Sequence, residues 1–319
     1  MTNTSILFRR RLTGAYVTPS LDLRIVALAA LTITFTQRGT GTAEYSTDRN
    51  TWNQFVSGQP TATFPVGSTI YLRGNLSPVV GSTAQTSGIG TFSASAAFNV
   101  AGCPLSLLGS NYSLTDNVPQ YSFCALFYGA TTLQHVSGVQ IPSGAIGSHA
   151  LWGMFQECSY LIDAPELPST NVAEYGYSTM FYNCTNLTSA PQILPATSIY
   201  QHGYEYMFYG CSSLITAPAI SATSLTGERC MFAMFMSCSN LQNAPELYPT
   251  SVTNYQYHRL FDGCGQVAEL RVHLTSWTQD GSYYWVRGVS ANGTFYCPAA
   301  LPQEFGVDRI PTSWSVQTF

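Results

Sequence analysis

Met154-Phe155-Gln156-Glu157-Cys158-Ser159-Tyr160-Leu161-Ile162-Asp163-Ala164-Pro165 recurs in outline from Met180, Met207 and Met234. Phe155, Phe181, Phe208 and Phe235 stand 26, 27 and 27 residues apart, and Cys158, Cys184, Cys211 and Cys238 keep the same intervals. A fixed period of this length marks a stack of structural units, each contacting mainly its neighbours. Weaker copies extend the array, through Leu126-Phe127 with Leu133 upstream and Leu260-Phe261 with Cys264 and Val267 downstream. The array therefore holds about six units, the terminal ones atypical as capping units are.

Within a unit, apolar residues fall four before, one before and three after the repeat Phe, as in Leu151, Met154 and Cys158 around Phe155. An i, i+3, i+4, i+7 set of this kind predicts a short helix with one face turned inward. Leu161, Leu187, Leu214 and Leu241 then lead through Ala-Pro to Leu167, Ile193, Ile220 and Leu247. That alternation predicts a short strand, and stacked copies predict a parallel sheet.

The flanks differ from the array. Residues 1–22 lack periodicity and read as an arm, with Arg9, Arg10 and Arg11 either a solvated tip or a docking peptide. Residues 23–118 carry short alternating segments, among them Leu31-Thr-Ile33-Thr-Phe35 and Ile70-Tyr71-Leu72, and predict a β-sandwich-like domain with a Gly/Ser/Thr-rich joint. The run Ser46-x-Asp48-x-Asn50-Thr51-Trp52 resembles the Asp-box turn of sialidases and is read as a hairpin turn whose Asp bonds to backbone. The array occupies 119–275. Residues 276–319 read as a C-terminal β cap, with Asn292-Gly293 as a hairpin signal.

Composition excludes several classes. Charged residues are only 9% of the chain, and the net charge of −4 offers no basic footprint for nucleic acid. No apolar run is long enough to span a membrane. The cysteines Cys158, Cys184, Cys211, Cys238 and Cys264 share one repeat position, so their side chains run parallel, a poor geometry for disulfides. With Phe155, Phe181, Phe208 and Phe235 they are read as structural, the thiols packing as small hydrophobes. No Cys-x-x-Cys or Cys/His cluster has metal-ligand spacing, so neither metal nor cofactor is expected.

The Met-Phe-x-x-Cys-x-x-Leu-x-x-Ala-Pro unit resembles the BspA-like branch of the leucine-rich repeats over about residues 120–275. It departs from the usual pattern in carrying Ala-Pro before the strand. The resemblance implies an α+β, mostly β fold, a leucine-rich-repeat solenoid of 26–27-residue coils. The Leu7-Phe8-Arg9-Arg10-Arg11-Leu12 leader and the tryptophan-rich tail are similar to accessory segments of such proteins from gut bacteria and their phages.

His135, His149, His202, His258 and His273 fall in no catalytic motif, and the carboxylates are scattered, so no enzyme is expected. Binding suits a stack, because equivalent positions line up. Residues six before and one after the repeat Phe fall off the apolar face. They supply the candidate binding residues Tyr175, Tyr182, His202, Tyr209, Arg229 and Tyr255. Tyrosine offers apolar area and a hydroxyl at low entropy cost; the alternative is that these rings merely pad a low-charge surface. The expected function is a non-enzymatic phage virion protein, a fibre or decoration, possessing no bound cofactor. Its partners would be other virion proteins through the N-terminal region and a host surface protein or glycan through the repeats. A homo-oligomer is expected, a trimer if it is a fibre. The alternative is a bacterial cell-surface adhesin.

Overall fold

The computed structural model describes residues 21–319; the candidate anchor Arg9, Arg10 and Arg11 lies outside the described residues. Strands β1 (Arg24–Ala27), β2 (Ile33–Gln37), β3 (Ala43–Ser46), β4 (Asn53–Gln54), β5 (Thr69–Gly74), β6 (Gly90–Ala94) and β7 (Phe98–Gly102) build the N-terminal part. They are followed by β8 (Leu133–Val139), which lies in the first repeat. The larger sheet has the order β4-β3-β5-β1-β7-β8, and β2 pairs with β6 separately. Alternation explains both: Ile33 and Phe35 of β2 are buried while Thr34 and Thr36 are not. The β7–β8 pairing is parallel, so the N-terminal sheet passes directly into the repeats.

A column of aromatic rings runs from the N-terminal sheet through the repeats to the C-terminal residues. Phe35 stacks on Phe92 at 4.3 Å and Phe92 on Phe127 at 6.0 Å. Phe127, Phe155, Phe181, Phe208, Phe235 and Phe261 then follow at 5.4–5.7 Å with interplanar angles of 2–12°, and Trp285 lies beyond at 6.4 Å. Gly90 makes the entry to this column feasible: its φ is +152°, and a Cβ there would stand 2.5 Å from the Phe35 ring. Arg38 fastens the same junction, donating to the carbonyls of Ser87, Gly90 and Cys124 and to the Thr91 hydroxyl.

The predicted inward helix and the leucine-rich-repeat solenoid built on it do not form. The described residues are nearly all-β, in five sheets of two to six strands, and their helical pieces are two 3-10 turns, Ala84–Thr86 and Pro104–Leu107. Strand pairing in the repeats is fragmentary. It comprises β9 (Ile193–Leu194) with β11 (Ala219–Ile220), β10 (Ser198–Tyr200) with β12 (Ser224–Thr226), and isolated parallel bridges such as Asp163 with Ser189. No closed solenoid results.

The segment expected to be helical is a ribbon of consecutive turns. The N–H groups of Met180, Tyr182 and Cys184 donate three residues back, to Tyr177, Thr179 and Phe181. Those of Thr179, Phe181 and Asn183, alternating with them, donate to Glu205, Met207 and Tyr209 in the next repeat. An α-helix spends every amide internally; the ribbon spends half of them holding its neighbour. The sequence pattern does not distinguish the two, because both turn the same four side chains inward. The ribbon requires left-handed residues at fixed positions, as at Tyr175, Thr179 and Asn183 with φ of 51–56°.

The C-terminal residues continue the stack. β13 (Glu269–Arg271), β14 (Thr294–Cys297) and β15 (Ser315–Thr318) pair in parallel. Asn292-Gly293 therefore does not turn a β-hairpin: 286–288 is turn, and β14 is flanked by parallel partners. Trp285 Nε1 donates to Arg309 O and Trp314 Nε1 to Ser290 O, pinning the last segments over the core.

Candidate binding cleft

The outer edge of the turn ribbon carries two rows of side chains. Six residues before each repeat Phe, Tyr121, His149, Tyr175 and His202 stack face to face at 4.6, 4.5 and 4.3 Å. His202 is 5% exposed, and its Nδ1 lies 2.9 Å from Glu205 Oε2. Arg229 continues this row, exposed, with its guanidinium 3.7 Å from Glu205 and over the Phe232 ring. Tyr175 and His202 are thus mainly held by each other, and only Arg229 and Tyr255, the latter 42% exposed, remain open in the row.

The second row holds a cleft. Tyr182 and Tyr209 stack at 4.6 Å and 6°, and Tyr206 meets both edge-on. With Phe232, Met236, Arg259, Tyr283 and Tyr284 they line an open cleft of about 700 Å³, to which Thr179 and His258 also contribute. A second hollow of about 670 Å³ adjoins it, bounded by Tyr255, Gln279 and Asp280 and sharing His258 and Tyr283 with the first. Tyr182, Tyr209 and Tyr255 are brought to these hollows, whereas Tyr175, His202 and Arg229 are outside their linings.

Several lining residues were not among the sequence candidates: Tyr206, Phe232, His258, Arg259, Tyr283 and Tyr284. They come from two and three residues before the repeat Phe or its counterpart. Those positions vary too much to announce a site; two before, the series runs Ala125, Gly153, Thr179, Tyr206, Ala233, Arg259. Ala233, one repeat from each, stands between Tyr206 and Arg259 and contributes only a methyl there.

The charges around the cleft are unevenly matched. Asp262 is 5% exposed and receives Arg287 through Nε at 2.8 Å and through Nη2. Arg259 Nη1 stands 3.7 Å from the same carboxylate. His258 has neither ring nitrogen hydrogen-bonded. Burial, and then Arg259 and Arg229, lower its basicity, so it is a neutral donor–acceptor at pH 7.

Among the described residues, other titratable groups are engaged in local contacts. His135 Nδ1 lies 2.7 Å from Asp163 Oδ2, but the Ser137 hydroxyl donates to that carboxylate and not to the imidazole. Asp48 is consumed in the Asp-box-like turn. It accepts the N–H groups of Thr51 and Asn50 and the Ser46 hydroxyl, which hold its carboxyl down to about 2. Among the described residues no group of three or more His, Cys, Asp or Glu is placed to hold a metal ion, and no helix is long and apolar enough to cross a membrane.

The cysteines do more than pack. Sγ of Cys158, Cys184, Cys211, Cys238 and Cys264 donates to the carbonyl of Phe127, Phe155, Phe181, Phe208 and Phe235 respectively, at 3.0–3.1 Å. All nine cysteines are buried free thiols, and burial pushes Cys158 and Cys264 up to about 12.

Compared with protein-family models, curated proteins and solved structures, the chain matches none.

Proposed function

We propose that the chain is a virion protein of a phage infecting gut bacteria, acting by binding and not by catalysis. The N-terminal region, with Arg9, Arg10 and Arg11, joins it to other virion proteins. The tyrosine face of the repeats meets a host surface protein or glycan. The observation that carries the binding role is the open cleft lined by Tyr182, Tyr206, Tyr209, Phe232, Tyr283 and Tyr284. Rings and hydroxyls gathered in one concave surface suit recognition of partly apolar, partly polar ligands. The particle setting rests on the resemblance of the repeat and the arginine leader.

Two experiments test this. Replacing Tyr182 and Tyr209 together by Ala is expected to weaken adhesion to host cells by about tenfold or more; unchanged adhesion refutes the binding site. Immunodetection in purified particles is expected to be positive. Absence from particles with presence in an outer-membrane fraction would instead identify a cell-surface adhesin.

A further inference from the structure

We propose that the cleft takes an acidic polysaccharide: a pyranose chain bearing carboxylates, laid along the repeat stack, with sugar rings against the tyrosines and a carboxylate on Arg259. This rests on the binding reading above and names its ligand class.

Spacing is the first argument. The lining residues come from five successive levels of the stack, from Tyr182 through Tyr209, Phe232 and Arg259 to Tyr284. The levels are separated by 5.4–5.7 Å where neighbouring Phe rings define them. At the cleft wall itself Tyr182 and Tyr209 stack at 4.6 Å, so the five levels together span a run of several sugars without matching them one to one. The two hollows lie side by side and share His258 and Tyr283 in their linings.

Charge is the second. Among the described residues, Arg259 is the one charged side chain lining the larger hollow and no carboxylate lines it; Asp280 lines the second hollow. Its partner Asp262 is already bound by Arg287, so two guanidinium groups share one carboxylate. Arg229 is matched by Glu205. Asp308 accepts the Tyr284 N–H through Oδ1 and is outside the lining. A ligand carboxylate completes the set with a charge-assisted bond to guanidinium; a neutral sugar leaves that charge unused.

The third is His258. Its imidazole is packed between Phe232 and Tyr283 in the wall common to both hollows with both nitrogens buried, so it offers apolar ring surface against which a sugar ring can pack.

Affinity electrophoresis of the full chain through gels containing polygalacturonate, alginate or hyaluronate tests the proposal, with methyl-esterified polygalacturonate as the neutral control. At least one acidic polymer should retard the wild type, and the ester should bind about tenfold more weakly than its acid. R259Q should bind the acid as weakly as the ester, and Y209A should lose both. The proposal is overturned if no acidic polymer retards the wild type, if acid and ester bind alike, or if R259Q binds as the wild type does. Host-cell adhesion separates the two levels of inference. Adhesion lost in Y209A but kept in R259Q overturns the acidic ligand and leaves the cleft standing; adhesion kept in both removes the cleft's role altogether.

Discussion

Cys211 offers a sharp test of how the repeats hold together. Its thiol is fully buried and donates to Phe181 O at 3.1 Å, while the same carbonyl accepts the Cys184 N–H at 3.1 Å. Cys211→Ala removes one buried heavy atom, worth about 0.8 kcal/mol as a methylene equivalent. It leaves a sulfur-sized void costing about 0.5 kcal/mol and loses a weak neutral hydrogen bond of about 0.5 kcal/mol. The carbonyl keeps its amide partner, so no full orphan penalty is added. The expected loss is about 2 kcal/mol. Cys211→Ser keeps a donor at nearly the same place and gives up mainly apolar transfer, for a loss of about 1 kcal/mol. Urea unfolding of the full chain in reductant, compared at unchanged slope, measures both. The reasoning fails if Ser costs more than Ala, since the thiol would then be an apolar filler that donates nothing.

Three further outcomes follow from the same geometry. Tyr204 Oη is buried without a partner, so Tyr204→Phe should raise stability by about 1 kcal/mol; a loss in the same unfolding assay would mean that the hydroxyl is satisfied. Ser237 has φ +63° where other repeats place Gly129, Gly210 and Gly263, and among the described residues its hydroxyl has no hydrogen-bond partner. Ser237→Gly should stabilise by about 0.5–1 kcal/mol through relief of left-handed strain, and a lower melting temperature would contradict this. Asp48 is held at about 2, below its ordinary 3.8. Its contribution is therefore complete above the ordinary value and lost as pH falls through the folded one. Between pH 4 and 2, the wild type should lose more stability than Asp48→Asn, measured as melting temperature against pH; parallel curves would exclude the turn as the cause.

The repeat period, the inward positions and the column of phenylalanines were legible in the chain, because burial dictates side-chain type wherever a residue faces the core. Phe155, Phe181, Phe208 and Phe235 are all fully buried, as are the cysteines three residues later. Strands β2 and β5 lie where alternation placed them. What the pattern left undetermined was the backbone. An inward set at i, i+3, i+4 and i+7 fits a helix and a turn ribbon alike, and the choice lies in where the amides go. In the ribbon every second N–H, such as that of Phe181 to Met207 O, is spent on the next repeat. That partner lies 26 residues away, beyond the reach of any local pattern. The candidate site divided in the same way. Tyr182, Tyr209 and Tyr255 were found from their phase in the repeat, but His202 and Tyr175 proved to be occupied by one another. Tyr206, His258, Arg259 and Tyr284 entered only when stacking set five levels side by side. A single chain determines which residues avoid water; which exposed residues share one cleft is decided by the register between repeats, because that register brings distant side chains within contact.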